Sequence, residues 1–180
     1  MKTVLVTFLS IIFASRILAY SPSVDSILRK LDTVIENKQQ NTLAKEAEIA
    51  ELKNKLHSAT TNREKFQICG DLFNAYLHFQ ADSSLYYINE RIRLLNLKEE
   101  PELNAEILIN RAEVLGVMGM YNEALEELDK INTKSLDMQT LEYYYRVCCA
   151  CYGWLADYTT SQDMKTKYKD KSEAYRDSVL

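Results

Sequence analysis

Glycine and proline are nearly missing from this chain, at four and two of its 180 residues. A many-stranded sheet protein needs a turn every ~8–12 residues, and such turns draw on Gly and Pro where the backbone must reverse. This chain lacks the punctuation for a sandwich or barrel. Pro22 and Pro101 stand where helices are expected to open, in a first turn whose missing N–H goes unused. Apolar residues make up 47%, enough for one domain of this length to bury a core. The expected class is all-α.

Residues 1–19 stand apart as a secretory signal peptide. Lys2 precedes an apolar run from Val4 to Ala14, broken by Thr7 and Ser10, and Ala19 offers a small residue at the cut. The run falls short of the about 20 apolar residues that span a bilayer. Arg16 and Ile17 blur the cleavage site, which leaves an uncleaved anchor as the alternative. No cysteine near the exit suits a lipid anchor. The chain is therefore expected to be exported, to the periplasm or the envelope. Its formal net charge of −4 becomes more negative once Lys2 and Arg16 are removed. An acidic surface without a basic, aromatic-interleaved patch argues against nucleic acid as a partner of this segment.

Between Ser21 and His57 there is no glycine, and Pro22 follows a capping serine. Val24, Ile27, Leu28, Leu31, Val34 and Ile35 recur at helical spacing. A polar gap from Asn37 to Thr42 precedes a charged stretch whose narrow stripe is Ile49, Leu52 and Leu56. The segment 20–60 is read as a long N-terminal helix, leaning by one edge on the helix pairs C-terminal to it or meeting a second chain as a coiled coil. Thr61-x-x-Glu64 is a capping box, and the helix after it carries two apolar faces. Phe66, Cys69, Phe73, Tyr76 and Leu77 form one; Ile68, Leu72, Ala75 and Phe79 form the other. A helix apolar on two sides must be packed on two sides. Three helix pairs are expected over 61–180, at about 62–97, 101–132 and 138–180. Their spacing of about 34–42 residues is that of a helical solenoid.

The stretch Gly119-Met120-Tyr121-Asn122-Glu123-Ala124-Leu125, with Leu128 and Ile131 after it, resembles the second half of a tetratricopeptide (TPR) repeat. There the glycine makes the turn, the aromatic fills the gap between helices and the small alanine lets two helices approach. The resemblance gives packing roles to Leu108, Ala112, Leu115, Gly119, Tyr121, Ala124 and Leu128. Arg111 replaces the usual Leu and Leu136 the usual closing Pro, so this copy is divergent. The pairs built on Asp82 to Tyr87 and on Tyr143 to Tyr145 are similar to weaker copies. The whole order, from signal peptide through Leu31-Asp32-x-x-Ile35-Glu36-Asn37 to Tyr175-Arg176-Asp177-Ser178, resembles the N-terminal part of a bacterial family of envelope-anchored transcriptional regulators. That family implies exported TPR repeats, then a membrane-spanning helix and a cytoplasmic DNA-binding part, both beyond Leu180. Membrane attachment would come only through the signal segment or such a downstream part.

Catalytic chemistry finds no support in the residues. His57 and His78, the two histidines, sit on separate helices without an HExxH pattern, and no phosphate-binding or nucleophile-elbow motif occurs. Neither an enzyme, a cofactor nor a metal is expected. Cys148, Cys149 and Cys151 are read as small packing residues among aromatics. A disulfide, for example to Cys69, stays open. Each of the twelve tyrosines is either core filler or ligand contact. Tyr76, Tyr143 and Tyr144, on first helices of their pairs, are the candidates for partner binding.

The function expected from these readings is recognition of a peptide or protein, as the sensor half of the regulator. The alternatives are a free-standing periplasmic adaptor or scaffold, and a small-molecule or glycan-binding module. Self-association is expected through the N-terminal helix or through the last pair, beyond which no polar cap stands.

Overall fold

The computed structural model describes residues 22–94 and 101–179. The candidate signal peptide at 1–19, the connector from Leu97 to Glu100 and the terminal Leu180 lie outside them. Among the described residues there are eight α-helices, one 3-10 turn and no strand. They are α1 (Pro22–Glu36), α2 (Lys38–Ser58), α3 (Asn62–Tyr76), α4 (Ala81–Leu94), α5 (Pro101–Val117), α6 (Tyr121–Leu128), α7 (Met138–Tyr158) and α8 (Gln162–Asp177), with the 3-10 turn at Thr133–Ser135 between α6 and α7.

Two compact units divide the chain between Glu46 and Ala47. In the first, α1 breaks from α2 at Asn37, within the polar gap of the sequence. Helical bonding carries across the break, from Asn37 N–H to the Thr33 carbonyl at 3.1 Å and from Asn41 N–H to the Asn37 carbonyl at 2.9 Å. The apolar stripe of α1, Val24, Ile27, Leu28, Leu31, Val34 and Ile35, is 44–65% exposed.

The second unit holds the helix pairs. α3 packs on α4, α5 on α6 and α7 on α8; α5 also meets α4 and α7, and α6 meets α7. Each pair touches its neighbour, as in a solenoid. One core gathers Phe66, Leu72 and Phe73 of α3, Ile88 of α4, and Ile107 and Val114 of α5. Ile49 is buried in it, and Leu52 and Leu56 of α2 pack against its edge. A second core gathers Ile109, Ala112 and Leu115 of α5, Ala124 and Leu128 of α6, and Tyr144, Val147, Cys148 and Cys151 of α7. α5 thus buries two opposite faces. Leu108 falls between Ile107 and Ile109, one in each core, and is only half-buried.

Helix ends obey local chemistry. Thr61 Oγ1 accepts the Glu64 N–H at 3.1 Å, and the Glu64 carboxylate accepts the Thr60 N–H at 3.1 Å. Asp137 caps α7 by accepting the Thr140 N–H at 2.8 Å. That bond, with the one from the Thr140 hydroxyl, holds the Asp137 carboxyl below its usual range. Gly119 adopts φ +83°, with Met120 N–H bonded to the Leu115 carbonyl and Gly119 N–H to the Gly116 carbonyl. This is a Schellman ending, in which a side chain at Gly119 would strain the backbone.

Small residues mark where paired helices approach. Ser84 of α4 is wholly buried and its hydroxyl donates to the Phe73 carbonyl at 2.9 Å. Ala124 holds the corresponding place on α6 and is also wholly buried. On α8, Ser172 donates to the Cys149 carbonyl at 2.9 Å. Gly116 serves the packing between pairs: a Cβ there would come within 2.4 Å of the Trp154 ring. Tyr121 is half-buried and stacks on Trp154 and Tyr158, at ring separations of 5.9 and 5.7 Å.

All four cysteines are free, with Cys69, Cys148 and Cys151 buried and Cys149 half-buried. Burial pushes the Cys69 thiol up to about 11 and those of Cys148 and Cys151 up to about 12. Above the ordinary thiol value of 9.0, the unfolded chain sheds protons that the folded chain keeps. Stability is therefore lost as pH rises through the window from about 9 to about 12. At pH 8 these three thiols should resist iodoacetamide until urea unfolds the chain. Rapid modification of native Cys148 or Cys151, detected by mass spectrometry, would show that they are not enclosed.

A polar cleft across the first helices

Helical spacing places every fourth and seventh residue on one face, and α3, α5 and α7 turn such a face to a common cleft of about 890 Å³. α3 contributes Gln67, Asp71 and Asn74; α5 contributes Glu106, Asn110 and Glu113; α7 contributes Gln139, Tyr143 and Arg146. The spacing on each helix is the same, four and then three, so equivalent positions of successive pairs line the cleft. Glu142 of α7 stands beside them.

A directed hydrogen-bond chain runs along the cleft. Arg91 of α4 is 3% exposed, with its guanidinium 4.1 Å from the centre of the Phe66 ring. A Cβ on Gly70 would lie 3.3 Å from the same guanidinium. Arg91 donates through Nη1 to Asn110 Oδ1 at 2.8 Å and through Nη2 to Glu106 Oε1 at 2.8 Å. Asn110 then donates through Nδ2 to the Tyr143 oxygen at 2.8 Å. The Tyr143 hydroxyl donates to Glu113 Oε2. Arginine only donates, so the orientation of the Asn110 amide is fixed, and with it the single proton of Tyr143 is directed to Glu113. Burial first, and the Glu113 charge next, push the Tyr143 hydroxyl well above the ordinary phenol range. Among the described residues, the Arg91 Nε–H has no acceptor.

Of the tyrosines read as candidates for partner contact, Tyr143 lines the cleft. One face of its ring is covered by the Arg146 guanidinium, 5.1 Å from the ring centre. Tyr76 is 5% exposed and stacks on Tyr87 at 5.7 Å. Tyr144 is 8% exposed and lies in the second core. Arg91, Asn110 and Glu113 belong to no motif of the sequence, and reading it alone misses them. Asn110 and Glu113 leave a trace there as polar positions that interrupt the apolar pattern of α5 at the spacing also seen on α3, and Arg91 on α4 leaves none. Among the described residues, no three His, Cys, Asp or Glu side chains are grouped to hold a metal ion.

Fold and cleft together define a helical-repeat binding module, built of antiparallel pairs with a polar groove along their first helices. The chain belongs to the SusR N-terminal TPR domain family, whose model matches residues 35–180. No curated protein and no solved structure matches it. Membership makes it a protein-interaction module of the SusR type, in a repeat class that is generally non-catalytic. No described helix is long and apolar enough to cross a membrane.

Proposed function

We propose that this chain is the exported input half of an envelope-anchored regulator, and that it holds a peptide or protein segment in the cleft between α3, α5 and α7. The observation that carries this reading is the repeated polar face. Gln67, Asp71 and Asn74 on one wall and Gln139 and Glu142 on the other line the cleft without bonds to other side chains among the described residues. An extended polypeptide offers a main-chain donor and acceptor at every residue, which suits such a row of amides and carboxylates. A glycan is a poorer fit, because the single phenol ring of the cleft already carries Arg146 on one face.

Site-specific photocrosslinking in cells tests this. A benzophenone side chain at Asn74, in the cleft, should capture a polypeptide in the envelope fraction. The same probe at Glu126, exposed on α6, should capture none. Equal capture at both positions, or a full-length cytoplasmic product retaining residues 1–19, would overturn the proposal.

A further inference from the structure

The charges of the cleft go one step further, on the reading that it binds polypeptide. Its lining carries four carboxylates, Asp71, Glu106, Glu113 and Glu142, and two guanidinium groups, Arg91 and Arg146. Arg91 is committed below the surface, paired with Glu106 at 2.8 Å. Arg146 lies over the Tyr143 ring. The hydrogen-bond chain ends on Glu113 Oε2 and brings that carboxylate a neutral hydroxyl rather than a counter-charge. Among the described residues, Asp71, Glu113 and Glu142 are thus left in the cleft with no salt bridge, one on each of the three first helices. The floor is also unfinished: Arg91, 3% exposed, keeps an Nε–H with no acceptor among the described residues. A buried donor without a partner is costly and uncommon, and marks the floor as a place that still lacks a polar partner.

We infer that the cleft selects a segment carrying a lysine or arginine, whose cation is favoured by the summed charge of Asp71, Glu113 and Glu142 along the cleft while its main chain meets the amides of Gln67, Asn74 and Gln139. An acidic or purely apolar segment would leave these three carboxylates facing like charge or desolvated without a partner.

The test pans a phage-displayed library of random peptides against the full chain purified from cells. Selected peptides are then measured by fluorescence anisotropy at low and high sodium chloride. Recovered sequences should share a Lys or Arg at one position, and replacing it by norleucine should weaken binding about tenfold, the order expected for a close interfacial charge pair. High salt should weaken the parent peptide more than the norleucine peptide. Asp71→Asn and Glu142→Gln, both at exposed positions where folding is not at stake, should each lower affinity for the parent and leave the norleucine peptide unchanged. Sequences without a shared cation, bound in the cleft and lost on Asn74→Arg, would overturn this inference and leave the peptide-binding reading standing. Absence of any peptide sensitive to Asn74→Arg would overturn both.

Discussion

Ala124→Arg is expected to remove most of the stability of the second unit, by more than about 4 kcal/mol, while Glu123→Arg beside it changes little. Ala124 is wholly buried on α6, in the core formed with Ile109, Ala112, Tyr144 and Cys148. A larger side chain costs about 1–3 kcal/mol in overpacking alone, and a charge with no partner in that core costs more. Glu123 points to solvent, so a swap there moves only a surface charge. Since whole domains are stable by roughly 5–15 kcal/mol, the first variant should melt far earlier or fail to fold. Equal urea midpoints for the two variants would mean that Ala124 does not separate packed helices.

Arg91→Ala is expected to cost about 3 kcal/mol. It removes the group stacked on Phe66 and leaves Asn110, itself 5% exposed, with an acceptor that nothing reaches. Glu106 is less affected, because its side chain is 39% exposed and water takes up its charge. Arg93→Ala is the matched control. Arg93 lies two residues on, 72% exposed and paired with Glu90 at the surface, where exposed pairs contribute about 0–1 kcal/mol. Denaturation curves showing equal losses for the two would place Arg91 outside the structural core. A further check is the near-ultraviolet tyrosine signal: Arg91→Ala should alter it through the displaced Tyr143 bond, and Arg93→Ala should not.

The fold is readable because its signals are local. Helical spacing of apolar residues, the Thr61 and Asp137 caps and the Gly119 turn each act within a few residues, and the repeat resemblance rests on the same positions. The cleft is less readable, because its residues acquire meaning only when a second helix stands opposite. Glu106, Asn110 and Glu113 on a lone helix look like a solvated face. In Asn89-Glu90-Arg91-Ile92-Arg93, two arginines two positions apart meet opposite fates, and only the phase of α4 against α3 and α5 decides which is buried. The same holds for Tyr143 and Tyr144. Neighbours on a helix point about 100° apart, so one enters the cleft and the other the core. Leu108 shows the limit of a repeat pattern: with Ile107 and Ile109 drawn into separate cores, the position between them has neither to fill.

The hydrogen-bond chain from Arg91 to Glu113 bears on how far these pairs are interchangeable. In many solenoids a repeat contacts only its neighbours, so units can be removed, duplicated or traded with modest penalty. Here the first pair supplies a cation, the middle pair an amide and a carboxylate, and the third pair a hydroxyl. Asn110 and Tyr143 stand at matching positions of their first helices, Arg91 reaches them from the second helix of its own pair, and each brings a different chemical group. Excising α5 and α6 would take away Asn110, Glu106 and Glu113 together, and leave the Arg91 guanidinium and the Tyr143 hydroxyl without those partners. Loss of the middle pair therefore carries the further cost of a buried Arg91 without its acceptors, while the exposed cleft walls remain free to change.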